Sequence, residues 1–298
     1  MFNTPEEQRH CYGVAGLTIQ LEAGVSLKDF SFLPQIERFR IPNLPAASSE
    51  NAVLLRHHFA MPELSSFKLE EKIYSRAPWE IYRASSSWVY VGKYLDGTDY
   101  IIAVFNDTHT AADIYHRGLD RFLKMDLESL SLFPTDQVWL ARLLADRQAF
   151  YLHASGVIIN GQGLAFVGHS EAGKTTITRQ VNEIGQVLCD DRIILRRWPD
   201  GFKVHGTWSH GELHQVSQGS ARLRAVLVLE QAPENRLMRL EPGEAVRALP
   251  QFVIKPLVTR DWWEKVLDTI GYLAREVPVY RLRFDKSGRI SETLLELL

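Results

Sequence analysis

The chain has 298 residues, 45% hydrophobic and 23% charged, with 34 basic residues against 36 acidic ones and a net charge of −2. That length suits about two globular domains, and so even a charge balance excludes nucleic-acid binding built on bulk positive charge. Cys11 and Cys189 are too few for a disulfide framework and lack the paired spacing of a zinc site, no apolar run approaches the ~18 residues of a membrane span, and the polar, acidic start MFNTPEEQRH does not read as a secretory signal. The expectation is a cytoplasmic protein with neither membrane nor nucleic-acid partners.

In chain order, residues 1–130 read as a β-rich α+β domain. GVAGLTIQL, VLLRHHFAM, WEIYRAS, SWVYVGKYL and DYIIAVF are β-branched or aromatic runs separated by turn residues. Asp96-Gly97 within LDGTD is expected to close a hairpin. The Pro and Ser cluster from Pro42 to Ser49 predicts a surface loop. No chemical motif occurs in this part, which leaves it a role in recognising a substrate.

Residues 131–298 form the second predicted domain. After Pro134, TDQVWLARLLADR predicts a helix with Val138, Leu140, Leu143 and Leu144 on its apolar face and Thr135 or Asp136 as its cap. FYLHASGVII and GLAFVG are strands joined at Asn160-Gly161, and a helix follows from about Lys174 to Ile184. QVLCDD is a strand. RIILRRW and FKVHG form a hairpin around Pro199-Asp200-Gly201, with Arg196 and Arg197 as solvated surface. LRAVLVLE is a buried strand by its apolar run. EPGEAVRAL and DWWEKVLDTIGYLARE read as helices, with Trp262 and Trp263 packed in the core. VPVYRLRF is a strand and ISETLLELL a helix. Alternating strands and helices argue for an α/β core.

The motif that carries chemistry is GHSEAGKTT, Gly168 to Thr176, which fits G-x-x-x-x-G-K-[ST] with a strand before it and a helix after it. Gly168 and Gly173 let the backbone turn tightly, so that N–H groups of His169, Ser170, Glu171, Ala172, Thr175 and Thr176 face phosphates. The helix N-terminus adds partial positive charge at the same place. Lys174 is expected to reach the β- and γ-phosphates of ATP, and the Thr175 hydroxyl to bind Mg²⁺.

Asp190 and Asp191 end an apolar strand about one helix after that loop. Adjacent carboxylates there are costly unless a cation or base chemistry uses them. One can face the metal and the other can take a proton from an attacking hydroxyl. His153 begins the strand pair leading into the loop and can orient or tune a carboxylate. In HGTWSHGELH, His210 and His214 have i, i+4 spacing, but Gly206 and Gly211 argue against the helix a zinc site would need. Glu212 is the better candidate there, as a further carboxylate near Mg²⁺.

LHASGVIINGQGLAFVGHSEAGKTT followed by LCDDR resembles the HPr kinase/phosphorylase family. It is closest in style to the shorter HPr-kinase-like serine kinases of bacterial gene clusters, including those that phosphorylate peptide precursors. CYGVAGLTIQL resembles the first strand of those shorter kinases. The resemblance covers about Leu152 to Glu230. It implies an α/β P-loop kinase domain of the HPr kinase/phosphoenolpyruvate carboxykinase type. Lys174 then matches the family's loop lysine, Thr175 its metal-binding serine, Asp191 its catalytic base and His153 its histidine. Asp190 would support the metal and that base, and Glu212 matches a second metal-side carboxylate. The segment that binds HPr in that family has no counterpart after Asp191. Arg222, Arg224 and Arg260 are candidates for its catalytic arginine.

The expected function is an ATP- and Mg²⁺-dependent kinase that moves a γ-phosphoryl group to a hydroxyl. The acceptor is a serine of a peptide or protein, or a small molecule. A nucleotide-binding switch with little transfer activity is the alternative from another class, and a phosphoenolpyruvate-carboxykinase-like enzyme a third. The oligomeric state, homo-oligomer included, is left open.

Overall fold

The computed structural model describes residues 9–42, 51–120, 122–131, 135–169, 171–256, 258–285 and 290–298. The N-terminal MFNTPEEQ, Asn43 to Ser49 of the loop predicted from Pro42 to Ser49, and Pro134 lie outside the described residues. The chain is mixed α/β, rich in strands, and divides into two compact units, Met1–Leu143 and Leu144–Leu298, each built on its own sheet.

In the first unit the strands are β1 (Arg9–Val14), β2 (Leu17–Ala23), β3 (Arg40–Ile41), β4 (Ala52–His58), β5 (Glu71–Arg76), β6 (Trp79–Ala84), β7 (Ser87–Lys93), β8 (Asp99–Asn106) and β9 (Ala111–His116). A short helix, α1 (Pro34–Glu37), precedes β3. The sheet runs β3-β1-β2-β4-β9-β8-β7-β6-β5. β4 is parallel to both β2 and β9, and the remaining pairs are antiparallel. The expected hairpin at Asp96-Gly97 forms: Tyr94 N–H donates to Thr98 O at 2.8 Å, and Asp96 Oδ1 accepts from Thr98 N–H at 2.9 Å. GVAGLTIQL, expected as one strand, is instead a β1–β2 hairpin. It turns at Ala15 and Gly16, whose φ values of 51° and 76° suit the twist of a two-residue turn.

Helix α2 (Gln137–Ala145) buries Val138, Leu140, Leu143 and Leu144 as the pattern predicts. Thr135 Oγ1 accepts from Gln137 N–H at 3.3 Å. The Asp136 carboxylate does not cap the helix. It accepts from Leu130 N–H, from Ser131 N–H and hydroxyl, and from Trp139 Nε1–H, which stitches the preceding turn to the helix.

The second unit contains β10 (Ala149–Ile159), β11 (Gln162–Val167), α3 (Lys174–Val181), β12 (Gln186–Cys189), β13 (Arg192–Trp198), β14 (Gly201–His205), β15 (Ser220–Gln231), β16 (Arg236–Leu240), α4 (Pro242–Ala248), α5 (Arg260–Glu276), β17 (Val279–Phe284) and α6 (Ile290–Leu295). The sheet order is β11-β10-β13-β14-β15-β17-β16, with β12 beside β10 and a further pairing of β11 with β15. β11, β15 and β17 are parallel to one another. Phe166, Leu227, Leu282 and Phe284 of these strands pack with Ile177 and Val181 of α3 and Ile290 and Leu294 of α6. That core fixes the start of α3 at the carboxyl ends of three parallel strands.

Trp262 is buried and stacks on Trp263 at 5.7 Å, as the core reading expects. Of the Arg196-Arg197 pair expected as solvated surface, Arg197 is partly exposed and only Arg196 departs from that expectation. Arg196 is buried with its guanidinium 4.0 Å from the Trp198 ring, and burial lowers its pKa to about 10, helped by the charge of Arg147. Arg197 pairs with Glu276 at 2.7 Å and lies over Tyr272.

Buried histidines are expected to make the fold acid-sensitive. His57 and His116 face each other across β4 and β9, Nδ1 to Nε2 at 3.0 Å. Burial, with the charge of His58, lowers the His57 pKa to about 3, and burial lowers His116 well below its ordinary value. Burial likewise takes His10 and His205 to about 4. Above pH ~6.5 neither the folded nor the unfolded chain protonates these rings, so stability is intact. Below it the unfolded chain takes up protons that the folded chain refuses, and stability falls until the folded pKa is reached. One ring held at about 3 would cost about 3 kcal/mol at pH 4. Thermal melts are expected to be level from pH 7 to 8 and to drop steeply from pH 6.5 to 4. A flat profile over that lower range would contradict the burial of these rings.

Candidate active site

The glycine-rich loop from Gly168 to Gly173 leaves β11 at its carboxyl end. Val167 is in register with Val228 of β15, and Val228 with Arg281 of β17. Ligands of open α/β sheets bind at such strand ends. The loop is tightly wound. A Cβ on Gly168 would lie 2.6 Å from Ala172 Cβ. Gly173 has φ +98°, and a Cβ there would lie 2.6 Å from Phe284 Cζ. Glu171, at φ 67°, has its carbonyl held by Gln231 Nε2–H at 2.7 Å. His169 Nε2 lies 3.0 Å from Gln251 Oε1, with its ring 5.0 Å from Phe252. Ser170 lies outside the described residues.

Gly173 is the N-cap of α3, so Lys174, Thr175 and Thr176 are its first three residues, with Thr175 and Thr176 half-buried. Lys174 is buried. Its Nζ donates to Gly168 O at 2.8 Å and His169 O at 3.1 Å, which folds the side chain back over the loop. Burial depresses its pKa, and the charges of Asp191 and Asp190 oppose that shift.

The strand pairing brings Asp191 alongside. β12 is antiparallel to β10, as β11 is on the other side, so β12 ends at the same edge as β11. Asp191 Oδ1 lies 3.3 Å from His153 Nε2, and Oδ2 lies 3.2 Å from Arg192 Nε. Ala154 N–H donates to the Asp191 carbonyl at 3.0 Å. Burial alone would raise the Asp191 pKa. The hydrogen bond from His153, the Arg192 charge beside it and Lys174 beyond outweigh that and hold the carboxyl below its usual range. Asp191 is therefore a carboxylate at neutral pH.

Asp190 is placed differently. It is buried, Oδ1 accepting from Gly211 N–H at 2.7 Å and Oδ2 from Leu213 N–H at 2.9 Å. Glu212, between those two residues, is exposed and pairs with Arg179 of α3 at 3.2 Å. The His210 and His214 rings lie 4.6 Å apart edge to face. Among the described residues no group of three or more His, Cys, Asp or Glu side chains could hold a metal ion. Among the described residues, no third His, Cys, Asp or Glu joins His210 and His214 in a zinc centre. Mg²⁺ makes no such demand, because it keeps waters and takes phosphate oxygens with one or two protein ligands.

Two of the three candidate arginines lie away from this edge. Arg222 is in register with Gln162, at the opposite end of β11, and Arg224 Nε–H donates to Leu297 O at 2.9 Å. Arg260 pairs with Glu264 at 2.8 Å on the exposed start of α5. Arg192 carries no motif signal in the sequence beyond its adjacency to Asp191. Arg281 carries none, and its strand register brings it level with the end of β11.

The family model described as SynChlorMet cassette protein ScmC matches residues 119–298, more than half of the chain. No curated protein matches. The Hpr(Ser) kinase/phosphatase from Coxiella burnetii is a solved structure similar over 49% of this chain and 93% of its own, with 12% sequence identity and a TM-score of 0.29, a likeness too slight to argue from. Among the described residues no helix is long and apolar enough to cross a membrane. By the extent of the family match, the chain belongs to the SynChlorMet cassette protein ScmC family.

Proposed function

We propose that the chain is an ATP- and Mg²⁺-dependent kinase of the HPr kinase/phosphoenolpyruvate carboxykinase type, transferring the γ-phosphoryl group to the hydroxyl of a peptide, protein or small molecule. The observation that carries this reading is the juxtaposition at one sheet edge of the wound G-x-x-x-x-G-K-T loop and a carboxylate oriented by His153 and Arg192. The loop's backbone N–H groups and the start of α3 supply anion-binding dipoles. Lys174 adds a point charge that can leave two carbonyls for phosphate oxygens. The Thr175 hydroxyl would hold Mg²⁺. When bound, that ion would neutralise charge on the phosphates.

Asp191 accepts the hydroxyl proton. Its low pKa keeps it charged and ready, and the loose transition state of phosphoryl transfer asks for positioning more than for a strong base. His153 orients one carboxylate oxygen, and the Arg192 charge lies beside the other. The test is calorimetric titration with ATP and Mg²⁺ beside single-turnover transfer into a lysate of the native host. Binding with transfer is expected. Binding without transfer would favour the nucleotide switch.

The β-rich first part of the chain carries acceptor recognition on this reading. A chain lacking residues 1–130 is expected to bind ATP with Mg²⁺ at near wild-type affinity while phosphorylation of its acceptor is lost. Normal phosphorylation by the shortened chain would refute that division of labour.

A further inference from the structure

The loop between β14 and β15 is closed at its base and held at its tip. At the base, Gly206 N–H donates to Gly219 O at 3.2 Å and Ser217 N–H to Leu188 O at 2.9 Å. At the tip, both oxygens of Asp190 are taken by the Gly211 and Leu213 amides, 2.7 and 2.9 Å away. The fit is close: a Cβ on Gly211 would sit 3.0 Å from Asp190 Oδ2. The Ser155 hydroxyl donates to the Asp190 carbonyl at 3.1 Å, so the anchor is itself tied to β10. Asp190 is 2% exposed. Glu212, between the two clamped amides, is carried out to Arg179 on the helix that begins at Lys174.

We propose that Asp190 is a positioning residue, the anchor that fixes the His210–His214 loop as a wall on the acceptor side of the site, and not a ligand of the metal. The adjacent carboxylates thus divide their work. Asp191 faces His153 and the reacting hydroxyl, while Asp190 faces backbone amides. Asp190 is enclosed, with each oxygen turned to a backbone amide, and Mg²⁺ would be served by Thr175, phosphate oxygens and water. The proposal rests on the kinase reading for what the loop serves, though not for the anchoring.

The test uses the full chain, with ATP and Mg²⁺ as probes. In Asp190→Asn an amide offers one acceptor oxygen where two N–H groups arrive. Amide exchange across residues 206–219 is expected to quicken at least tenfold. The Mg²⁺ concentration for half-saturated ATP binding is expected to stay within twofold of wild type, and single-turnover transfer to fall at least tenfold. Unchanged ATP affinity alongside slower transfer separates positioning from general loss of structure. Gly211→Ala presses on the same carboxylate from the loop side and is expected to show the same pattern, which keeps the test open if Asp190→Asn does not fold. A rise of fivefold or more in the Mg²⁺ requirement, loop exchange as in wild type, or unchanged transfer in a loosened loop would each overturn the proposal. Failure of the wild type to bind ATP with Mg²⁺ would sink the kinase reading, while loop exchange would still decide the anchor.

Discussion

Lys174→Ala is expected to abolish phosphoryl transfer and to weaken ATP binding roughly tenfold to a hundredfold, the range of a lost charged hydrogen bond. The lysine lies across the glycine-rich loop, and its ammonium already sits on the carbonyls of Gly168 and His169. Without it, the phosphate oxygens would keep the backbone amides and the start of α3 but lose the point charge that positions the transferring group. The variant should still fold, because the core beneath the loop rests on Phe166, Ile177 and Phe284 rather than on the lysine. Calorimetry with ATP and Mg²⁺ measures the first effect and single-turnover transfer the second. Near-normal turnover by the variant would end the kinase reading.

Asp191→Asn separates chemistry from binding. The substitution keeps size and hydrogen-bonding capacity while removing the negative charge and most of the basicity. ATP binding with Mg²⁺ is expected to stay within a few-fold of wild type while transfer falls by ~10²-fold or more, the scale of a lost general base. The geometry sets this expectation: His153 holds the carboxylate, the Arg192 charge lies beside it, and the lowered pKa keeps it charged throughout the neutral range. A variant that turns over normally would leave the chain without a base and favour a binding-only role.

Local chemistry was legible where a residue type has few uses. Asn160-Gly161 and Asp96-Gly97 announced their hairpins, and Gly168 and Gly173 stand where a side chain would collide. Ala15 gave no such signal, because alanine seldom takes positive φ, so two strands read as one. The short strand β16, Arg236–Leu240, escaped notice because its basic, weakly alternating sequence looks solvated. Arg196 looked like surface because its burial depends on Trp198 two residues on and on packing against other strands.

The site was less legible than the motif. Asp190 and Asp191 look alike in sequence, and only the arrival of the Gly211 and Leu213 amides from a distant loop tells them apart. Glu212 read as a metal-side carboxylate from its neighbourhood of histidines, yet its partner is Arg179, a helix residue that no local pattern connects to it. Arg222 and Arg224 were plausible by position after the motif. Strand register, which sequence does not state, carries them to the far end of β11 and brings Arg281 to the near end.

Phosphoryl transfer to a hydroxyl can be followed on the γ-phosphate itself. The purified full chain is incubated with γ-¹⁸O-labelled ATP, Mg²⁺ and a lysate of its native host, and phosphorylated species are identified by mass spectrometry. At least one peptide, protein or small molecule is expected to acquire a labelled phosphoryl group on a hydroxyl oxygen with the wild type and not with Lys174→Ala or Asp191→Asn. ATP bound by the wild type with no labelled acceptor, or the same labelled species with Asp191→Asn, would contradict this expectation.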